Sequence, residues 1–594
     1  MKTNYSRMKG NIALITIMAV LFIRILTSCQ NFLEMPAQTS FNVDSVFSKY
    51  QNAERLLFDL YQYEGKALAT ARNGKLGNSA VANITDEAIC FTAQNGYTAN
   101  RVYAGGVTSS WFTVDGQNGE DIYVNHWKTI RKALIMKQNI DRVPDASTEV
   151  KERIKAESTA IIALEYFEMF IRYGGVPIVR KPLNDASEYA ILRSPVDSVY
   201  RHIIKLLDEC IANPNFPARV PDEKEFGRLT KAFAYGLKAK TMLYAASPLF
   251  NSDRPYADFG TDNKLICFMN YDKNRWKLAA NAAKEAITYC ESNGYSLVNN
   301  ADKSKNYKIA CEDRPKFGNT ECIYASLQGI NIDKLYWLGR GTNVGGYSPT
   351  EPTHNHVEKY QNTDGTSVDW SNTITTPPND PTFPYKKLDP RFHQSIAYNG
   401  CLWITTAPTY NLEIYDGVDA SVANGRNGPI VAKTQFAYFP RKFLNGYEGS
   451  SAWTPISIYM RLAELYLIDA EASNESDGPS EAIFSRLDAI RTRTGMPTVS
   501  RTLDQTQLRK YIENERSVEL FLENHRYFDV KRLKIADVFK GPINDVRVIK
   551  QKNGSYTYTR FKYHDRAWFN HWYLHPFPYA EVNKGYGLIQ NPGW

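Results

Sequence analysis

The sequence lacks the short motifs that identify several classes of enzyme and of nucleic-acid-binding protein. It contains no Gly-x-Ser-x-Gly elbow, no His-Glu-x-x-His zinc motif and no glycine-rich phosphate-binding loop. It has no close Cys-x-x-Cys pair and no basic stripe, which argues against a structural zinc site and against nucleic-acid binding. Mean hydropathy is −0.44, which excludes a polytopic membrane protein.

What the sequence does contain is a globular composition with many aromatic side chains. Hydrophobic residues make up 43% and charged residues 23% of the 594 residues, so neither a disordered nor a collagen-like chain is expected. Aromatic residues reach 13%, with 38 Tyr and 10 Trp, a first indication of rings that face a ligand. Seven of the eight cysteines lie beyond residue 29; an odd number cannot all pair, and we expect most to be small buried side chains.

The amino terminus is predicted to be a bacterial lipoprotein signal. Lys2, Arg7 and Lys9 precede a mostly apolar run over 12–23, which has the length of a signal h-region, whereas a membrane-spanning helix needs about 20 residues. Leu26-Thr27-Ser28-Cys29 follows, and an aliphatic residue, two small residues and a cysteine form a lipobox. We therefore expect a signal peptide over 1–28, a lipidated tether over 29–40, and acyl chains on Cys29 that anchor the protein to a membrane.

Helical periodicity dominates the remainder of the chain. Apolar residues recur at i, i+3, i+4 and i+7, and many of them are alanines, which let helices approach closely. Pairs of helices with small residues where they cross look like tetratricopeptide (TPR) units, although the 34-residue period is not clean. We predict a mainly α fold, an alpha-alpha superhelix of degenerate helix pairs. The predicted helices lie at about 43–62, 120–141, 160–171, 195–212, 229–247, 279–290, 459–470, 480–494 and 504–523.

Residues 296–455 depart from this pattern. They are rich in Pro, Gly, Asn and Asp and hold short apolar runs such as 322–327, which predict strands. We expect a loop-rich, mixed insert between an amino-terminal helical part, 41–295, and a carboxyl-terminal part, 456–594. In the latter, Asn553-Gly554 separates two apolar runs and predicts a hairpin whose turn has positive φ.

Six motifs follow one another along the chain. They are Cys29-Gln30-Asn31-Phe32-Leu33-Glu34-Met35-Pro36, Arg172-Tyr173-Gly174-Gly175-Val176-Pro177, the helix 459–472, Ile490-Arg491-Thr492-Arg493-Thr494-Gly495, Glu523-Asn524-His525-Arg526 with Asp529, and the terminal stretch 587–594. In this order they make the sequence similar to the SusD/RagB family of Bacteroidetes outer-membrane lipoproteins over nearly its whole length. Asn524 stands where family members usually have Gly, and Asn also tolerates a left-handed backbone.

The resemblance implies both a fold and a role. It implies four TPR-like helix pairs that support a more variable, loop-rich part. It also implies a cell-surface protein that binds a nutrient, usually a glycan, without cleaving it, and that caps a SusC-like TonB-dependent transporter. RagB-like relatives take peptides instead.

A glycan site needs exposed flat rings and polar side chains. A sugar ring has an apolar face, which aromatic rings cover, and a rim of hydroxyls, which polar groups reach. Segment 95–118 carries Tyr97, Tyr103 and Trp111 among glycines and polar residues, so it reads as a loop in which Trp111 has no helical or strand reason to occur. The alternative is that Trp111 packs the loop onto the scaffold. Trp127, by contrast, lies in a periodic helix and is predicted to be core.

A second loop offers similar chemistry. Tyr336 and Trp337 are adjacent and are followed by Arg340, which suits stacking together with hydroxyl recognition; burial in the insert is the alternative. Trp370 is a weaker candidate of the same kind. Asp86 either faces this site or caps a helix, and the cap is the favoured reading.

Other clusters are assigned to structure. Glu515, Glu519 and Glu523 lie at i, i+4 and i+8, and with arginines 516, 526 and 532 nearby they predict an ion-pair network. His354 and His356 are expected at the surface, and a metal pair at His571 and His575 is disfavoured because Pro576 follows directly. The acids between 115 and 121 could hold calcium but do not match the EF-hand spacing, so no cofactor is predicted.

The sequence thus favours a lipid-anchored, non-enzymatic protein that captures an oligosaccharide or polysaccharide and passes it to a SusC-like transporter. Two alternatives remain: a RagB-like peptide binder, and a TPR-type scaffold for the transporter with no ligand of its own. A glycosidase would need two carboxylates flanking one bond, and no such pair stands out.

Overall fold

The computed structural model describes residues 42–64, 81–89, 102, 104–110, 122–220, 222–326, 350–403, 410–425, 437–443 and 456–594. Helices prevail over strands in these ranges. The α-helices are α1 (Val43–Val46), α2 (Tyr50–Glu64), α3 (Tyr123–Asn139), α4 (Thr148–Tyr173), α5 (Val196–Ala212), α6 (Lys231–Ala246), α7 (Asn274–Ser292), α8 (Lys303–Glu312), α9 (His354–Val357), α10 (Pro390–Ser395), α11 (Leu462–Asp477), α12 (Glu481–Thr492), α13 (Gln505–Glu519), α14 (Arg526–Arg532), α15 (Asp537–Lys540) and α16 (Tyr579–Val582).

The strands are short and form small sheets. They are β1 (Ala88–Ile89), β2 (Cys322–Ser326), β3 (Glu351–Pro352), β4 (Ile374–Thr375), β5 (Ile396–Tyr398), β6 (Leu402–Trp403), β7 (Tyr410–Asn411), β8 (Asp416–Gly417), β9 (Tyr438–Pro440), β10 (Ser457–Arg461), β11 (Ile543–Lys550) and β12 (Tyr556–His564). Four pairs, β1–β3, β2–β10, β5–β9 and β6–β7, are two-stranded, and one sheet has the order β4-β12-β11-β8.

The long helices pack against their neighbours in chain order. α2 lies against α3, α3 against α4 and α4 against α5, and the series continues through α6 and α7 to α11, which also contacts α12 and α13. A stack in which each helix contacts its neighbours is the arrangement of a helical superhelix. The predicted fold class is therefore confirmed. A helix lies at each predicted position, but the one expected over 459–470 begins only at Leu462, because 457–461 form β10, and the one expected over 504–523 ends at Glu519.

Small residues allow the helices to approach closely, as the sequence predicts. Ala279, Ala283 and Ala286 on α7 are fully buried. On α6, a Cβ atom at Gly236 would lie 2.2 Å from the sulfur of Met460, so any side chain there would have to displace Met460 where α6 meets β10.

The Gly-Gly pair of the second motif has a backbone role. α4 ends at Gly174, whose φ of +75° is unfavourable for any residue with a side chain. A Cβ atom at Gly174 would lie 2.7 Å from the carbonyl oxygen of Leu265, and one at Gly175 would lie 2.2 Å from that of Ser194. The motif therefore marks a place where three backbone segments meet.

Two large hydrophobic cores hold the fold together. The first gathers the buried faces of α2–α7 and α11–α13. The second belongs mainly to the loop-rich region and is built from aromatic side chains, including Tyr360, Tyr385 and Tyr438, together with the inner face of the β11–β12 hairpin. The domain boundaries at 295/296 and 455/456 stay predictions, although the separate second core is what a distinct insert would produce.

The predicted hairpin is confirmed. β11 and β12 are antiparallel, with Val548 opposite Tyr558, and the turn between them contains Gly554 at φ +81°. The strand predicted at 322–327 is also present, as β2. The six described cysteines, residues 210, 267, 290, 311, 322 and 401, are buried, as expected.

A buried ion-pair network joins the helical part to the loop-rich part. Glu519, at the end of α13, accepts hydrogen bonds from Arg461 of β10 (2.6 Å) and Arg391 of α10 (2.8 Å), and it also pairs with Arg493. Glu523 pairs with Arg461 and with Lys442. The network predicted for Glu515, Glu519 and Glu523 is therefore present.

The partners in that network differ from those predicted. Arg516 and Arg532 bind Asp529 and Glu471, while Arg526 binds Asp86. Glu515 and Glu519 on α13, and Glu523 just beyond its end, each reach an arginine or lysine far away in sequence, which spacing along the chain cannot reveal.

Candidate functional site

The two candidate aromatic loops join the described structure at neighbouring points. β1 pairs antiparallel with β3, and Ile89, the last residue of β1, lies opposite Glu351, the first residue of β3. Residues 90–101, 103 and 111–121 follow β1, and residues 327–349 precede β3, all outside the described residues. Paired positions in an antiparallel ladder have Cα atoms about 5 Å apart, so the chain leaves β1 and enters β3 side by side.

A second strand pair, β2 and β10, fixes the place where segment 327–349 begins. Ser326, the last residue of β2, lies opposite Ser457 of β10. Beside β2, a cavity of about 420 Å³ is lined by the strand itself and by Arg219, Phe226 and Tyr295. Segment 327–349 therefore starts next to a cavity and ends next to the point from which segment 90–101 departs.

Most of the predicted site residues belong to these segments. Tyr97, Tyr103, Trp111, Tyr336, Trp337 and Arg340 lie outside the described residues, as does the lipidation candidate Cys29 and the possible calcium ligands between 115 and 121. Their roles stay predictions.

Trp370 is not an exposed stacking platform, and this expectation is wrong. The side chain is only 6% exposed and belongs to the second core. His354 meets its ring edge-on with centroids 4.7 Å apart, and Tyr385 lies 5.8 Å away. The polar residues around Trp370 in the sequence suggested a surface loop, but the ring itself turns inward to complete an aromatic cluster.

Asp86 neither faces open space nor has its carboxylate engaged as a helix cap. It is 5% exposed, and its two oxygens accept hydrogen bonds from Arg526 (2.8 and 3.0 Å) and from Lys359 (2.7 Å). Burial favours the neutral acid, but the two positive charges outweigh it and hold the pKa of Asp86 well below its ordinary value. Asp86 thus fastens the start of β1 to the Glu-Asn-His-Arg motif.

The same motif contains the left-handed residue that the sequence predicts. Asn524 has φ +63°, so it adopts the left-handed conformation expected at this position. This turn places Glu523 in the buried network on one side and Arg526 against Asp86 on the other.

Two further carboxyl groups next to the β1–β3 pair are buried without a full set of partners. Glu87 is 1% and Glu351 0% exposed; among the described residues, one carboxylate oxygen of Glu87 and both of Glu351 have no hydrogen-bond partner. Burial, reinforced by Asp86, raises the pKa of Glu87 to about 8. Burial, with a contribution from Asp545, raises the pKa of Glu351 well above its ordinary value. Both are therefore neutral near pH 7, and neither reaches the surface.

The histidines are structural in this part of the chain. His354 and His356 are fully buried, so the expected surface position is wrong; they contact the hydroxyls of Tyr438 (2.8 Å) and Tyr360 (3.3 Å). Burial lowers the pKa of His354 to about 3, so the ring is neutral. Within the described ranges no group of three or more His, Cys, Asp or Glu side chains could hold a metal ion.

A second cavity was not anticipated from the sequence. It measures about 450 Å³ and runs along α3, between this helix, residues 177–191 and residues 581–588. Its aromatic residues include Trp127, which is half-buried rather than fully in the core, and Tyr189 and Tyr586, which are 42% and 40% exposed. Helical periodicity could place Trp127 on the inward side of α3 but could not show that it lines a cavity together with residues 581–588.

Two family models together match most of the chain. The model described as "SusD family" matches residues 284–594, and the model described as "Starch-binding associating with outer membrane" matches residues 32–243. Among the helices of the described ranges, none combines the length and the apolar character that crossing a bilayer would require.

Curated relatives are similar over shorter stretches. SusD-like protein P2 of Formosa agariphila is 34% identical over 177 residues, which are 28% of this chain and 31% of that protein. SusD-like protein P38 of the same organism is 36% identical over 95 residues, 15% of this chain and 19% of the relative. The matches thus span a third or less of these relatives.

Solved structures share the fold over almost the whole chain. A SusD-like protein from Bacteroides fragilis has a TM-score of 0.72 at 22% identity, covering 93% of this chain and 98% of that one. A SusD-like carbohydrate binding protein from the same species reaches 0.67 at 19% identity, with 91% and 99% covered. A laminarin binding SusD-like protein reaches 0.56 at 19% identity, with 92% and 100% covered. At these identities the similarity shows the fold alone.

Proposed function

Because the chain belongs to the SusD family, we propose that it is a cell-surface lipoprotein that captures an oligosaccharide or polysaccharide and delivers it to a SusC-like TonB-dependent transporter. It binds its ligand and releases it uncleaved. Cys29 carries the lipid that holds it at the outer membrane. The family model described as associating with the outer membrane supports this location.

The observation that carries the ligand proposal is the meeting of the loop ends at β1 and β3. Tyr97 follows β1 by 8 residues and Trp337 precedes β3 by 14, so these two segments can reach a common volume from adjacent starting points. Trp111 follows directly after the described residue Ser110. Each brings aromatic rings, and the second adds Arg340. Two flat rings and a guanidinium suit a sugar chain, whose apolar faces stack while its hydroxyls accept and donate hydrogen bonds.

The described frame suits such a site. Asp86 and Arg526 tie the residues before β1 to α14. Thr353, directly after β3, donates to the backbone carbonyl of Asp86, so the strand pair from which the two segments depart is held in place. Loops that bind ligands work best on a rigid scaffold, because less ordering then opposes binding. The binding of a laminarin by one structural neighbour is consistent with a glycan ligand.

Isothermal titration of the soluble chain, residues 30–594, against a glycan panel and a peptide panel tests the ligand class. We expect heat from at least one glycan and none from the peptides. Clear binding to peptides with no response to any glycan would overturn the glycan proposal in favour of a peptide binder. Silence with both panels, together with retention of the transporter in a pull-down, would favour a scaffold without a ligand.

A metabolic label tests the anchor. In the native host, radioactive palmitate should enter the wild-type protein and should be absent from Cys29→Ser, which should also leave the outer-membrane fraction. A Cys210→Ser variant is the matched control, because Cys210 is a buried, free cysteine in α5. Unlabelled wild-type protein would contradict the proposed location.

A further inference from the structure

The cavity along α3 has the character of a groove for an apolar segment of chain. Trp127, Leu134 and Val179 contribute to its lining, and the carboxyl-terminal Leu588 closes one side. The groove is about 450 Å³, enough for a few side chains but small for a folded partner. The exposed parts of Trp127, Tyr189 and Tyr586 offer an apolar surface to an occupant.

The rim of the groove carries an excess of positive charge. Lys181 and Lys584 are paired with Glu188 and Glu581. Lys128 and Arg131 are exposed on α3, and no ion pair within the described residues neutralises them. An occupant with an acidic group among apolar ones would complement this rim.

The chain itself contains such a segment just ahead of its first described residue. Residues 30–41 include Phe32, Leu33, Met35 and Pro36, one acid, Glu34, and no basic residue. A short apolar segment with a single negative charge is what the groove and its rim would accept.

The described chain begins where this segment could enter the groove. α1 lies at the carboxyl-terminal end of α3, because Asp44 pairs with Arg142. The same end is fixed by the backbone N–H of Tyr50, which donates to Asp145 (2.7 Å). At about 1.5 Å per helical residue, Leu134 lies roughly 12 Å and Trp127 roughly 23 Å back along the helix from Arg142.

The lengths match. At roughly 3.3 Å per extended residue, Met35 can lie up to about 23 Å and Phe32 up to about 33 Å from Asn42. A tether running antiparallel to α3 can therefore place Met35 near Leu134, Glu34 near Lys128 and Arg131, and Phe32 near Trp127.

We propose that residues 32–36 of the tether dock in the groove along α3, with Glu34 facing Lys128 and Arg131. Docking shortens the free tether and brings Cys29 close to the amino-terminal end of α3 and to the carboxyl-terminal residues 579–588. In a lipidated chain, that end of the protein would then face the membrane. The docking does not depend on the lipid, so it can fail while the anchor at Cys29 is correct, and the reverse.

Photocrosslinking in the mature chain, residues 29–594, tests the docking. Phe32→benzoylphenylalanine should crosslink on illumination to peptides from 123–134, 177–191 or 579–588, identified by mass spectrometry. Thr39→benzoylphenylalanine is the matched control and should reach only the neighbourhood of α1 and the end of α3. Crosslinks from position 32 to another face, to another molecule, or to nothing would overturn the proposal.

A charge exchange tests the predicted register. Lys128→Glu should lower the crosslink yield from position 32 at least threefold, because Glu34 would then meet a like charge, and adding Glu34→Lys should restore it. Lys205→Glu, an exposed lysine on α5, is the control and should change nothing. An unchanged yield in Lys128→Glu, or no recovery in the exchanged pair, would show that Glu34 does not face this rim.

Discussion

Glu87 illustrates how burial sets the charge of a side chain next to the proposed site. It is neutral in the folded protein near pH 7 because burial and the adjacent Asp86 raise its pKa to about 8. The unfolded chain releases this proton near pH 4.5, so between about pH 4.5 and 8 the folded state binds more protons than the unfolded one. Folding stability contributed by this group therefore declines as pH rises through that interval.

We expect Glu87→Gln to reduce that decline. Each unit of pKa difference corresponds to about 1.4 kcal/mol, so the loss of unfolding free energy between pH 5 and pH 8 should shrink by a few kcal/mol. Guanidinium unfolding at pH 5 and pH 8 measures this change in unfolding free energy. Glu285→Gln, at an exposed position on α7, is the control and should leave the decline as in the wild type. An equal decline in Glu87→Gln and wild type would contradict the assigned charge state.

Trp370 makes the distinction between core and ligand contact testable. Trp370→Ala should lower the free energy of unfolding by about 3–5 kcal/mol, as removal of a large buried ring does, whereas glycan affinity measured below the unfolding range should be unchanged. Denaturant titration measures the free energy of unfolding, and calorimetric titration measures the glycan affinity. A stable variant that has lost its affinity would return Trp370 to the list of ligand contacts.

The difference between Trp370 and Trp111 also shows what a sequence can and cannot reveal about single residues. Both lie among polar residues and glycines, so both read as loop tryptophans. The burial of Trp370 depends on His354 and Tyr385 and on a hairpin almost 200 residues away. Asp86 is similar, because its partner Arg526 lies 440 residues further along. Asn524, whose conformation is a local property, was predicted correctly.

Helix α13 carries the acids that link the two parts of the fold. Arg391, Arg461 and Arg493 hold the pKa of Glu519 at about 2 although burial opposes ionisation. The stability this pair network contributes is present above the ordinary glutamate pKa near 4.5 and is lost as pH falls toward 2. The regular spacing of the glutamates could be recognised from the sequence. The arginines that pair with Glu519 could not, because they come from three other parts of the chain.

We expect Glu519→Gln to destabilise the protein by about 3–5 kcal/mol at pH 7, because it leaves buried arginines without their full compensation. Thermal and chemical unfolding measure the change, and the variant should also lose less stability than the wild type on acidification from pH 5 to 3. Glu481→Gln removes an exposed partner of Arg501 and should have little effect. Equal effects of the two substitutions would mean that the buried network does not hold the parts together.

For the molecule as a whole, periodicity and motif order were sufficient to predict the superhelix, the hairpin and the family. They could not predict the groove along α3, because its other walls come from segments that lie about 60 and 450 residues further along the sequence than the helix. Nor could they show that the loops around β1 and β3 leave from one place. That juxtaposition results from a two-residue strand pair, too short to stand out as a pattern.

The account depends on both loops contributing to one ligand site. The most direct measurement is calorimetric titration of the best glycan into wild type, Trp111→Ala, Trp337→Ala and the double variant, with Tyr271→Ala, an exposed aromatic on the helical scaffold, as the control. The account predicts one site per chain, a loss of at least about tenfold in affinity for each single variant, and a double variant that loses less than the product of the two because the contacts are coupled. Full affinity in either single variant, or two sites per chain of which each single variant weakens only one, would contradict it.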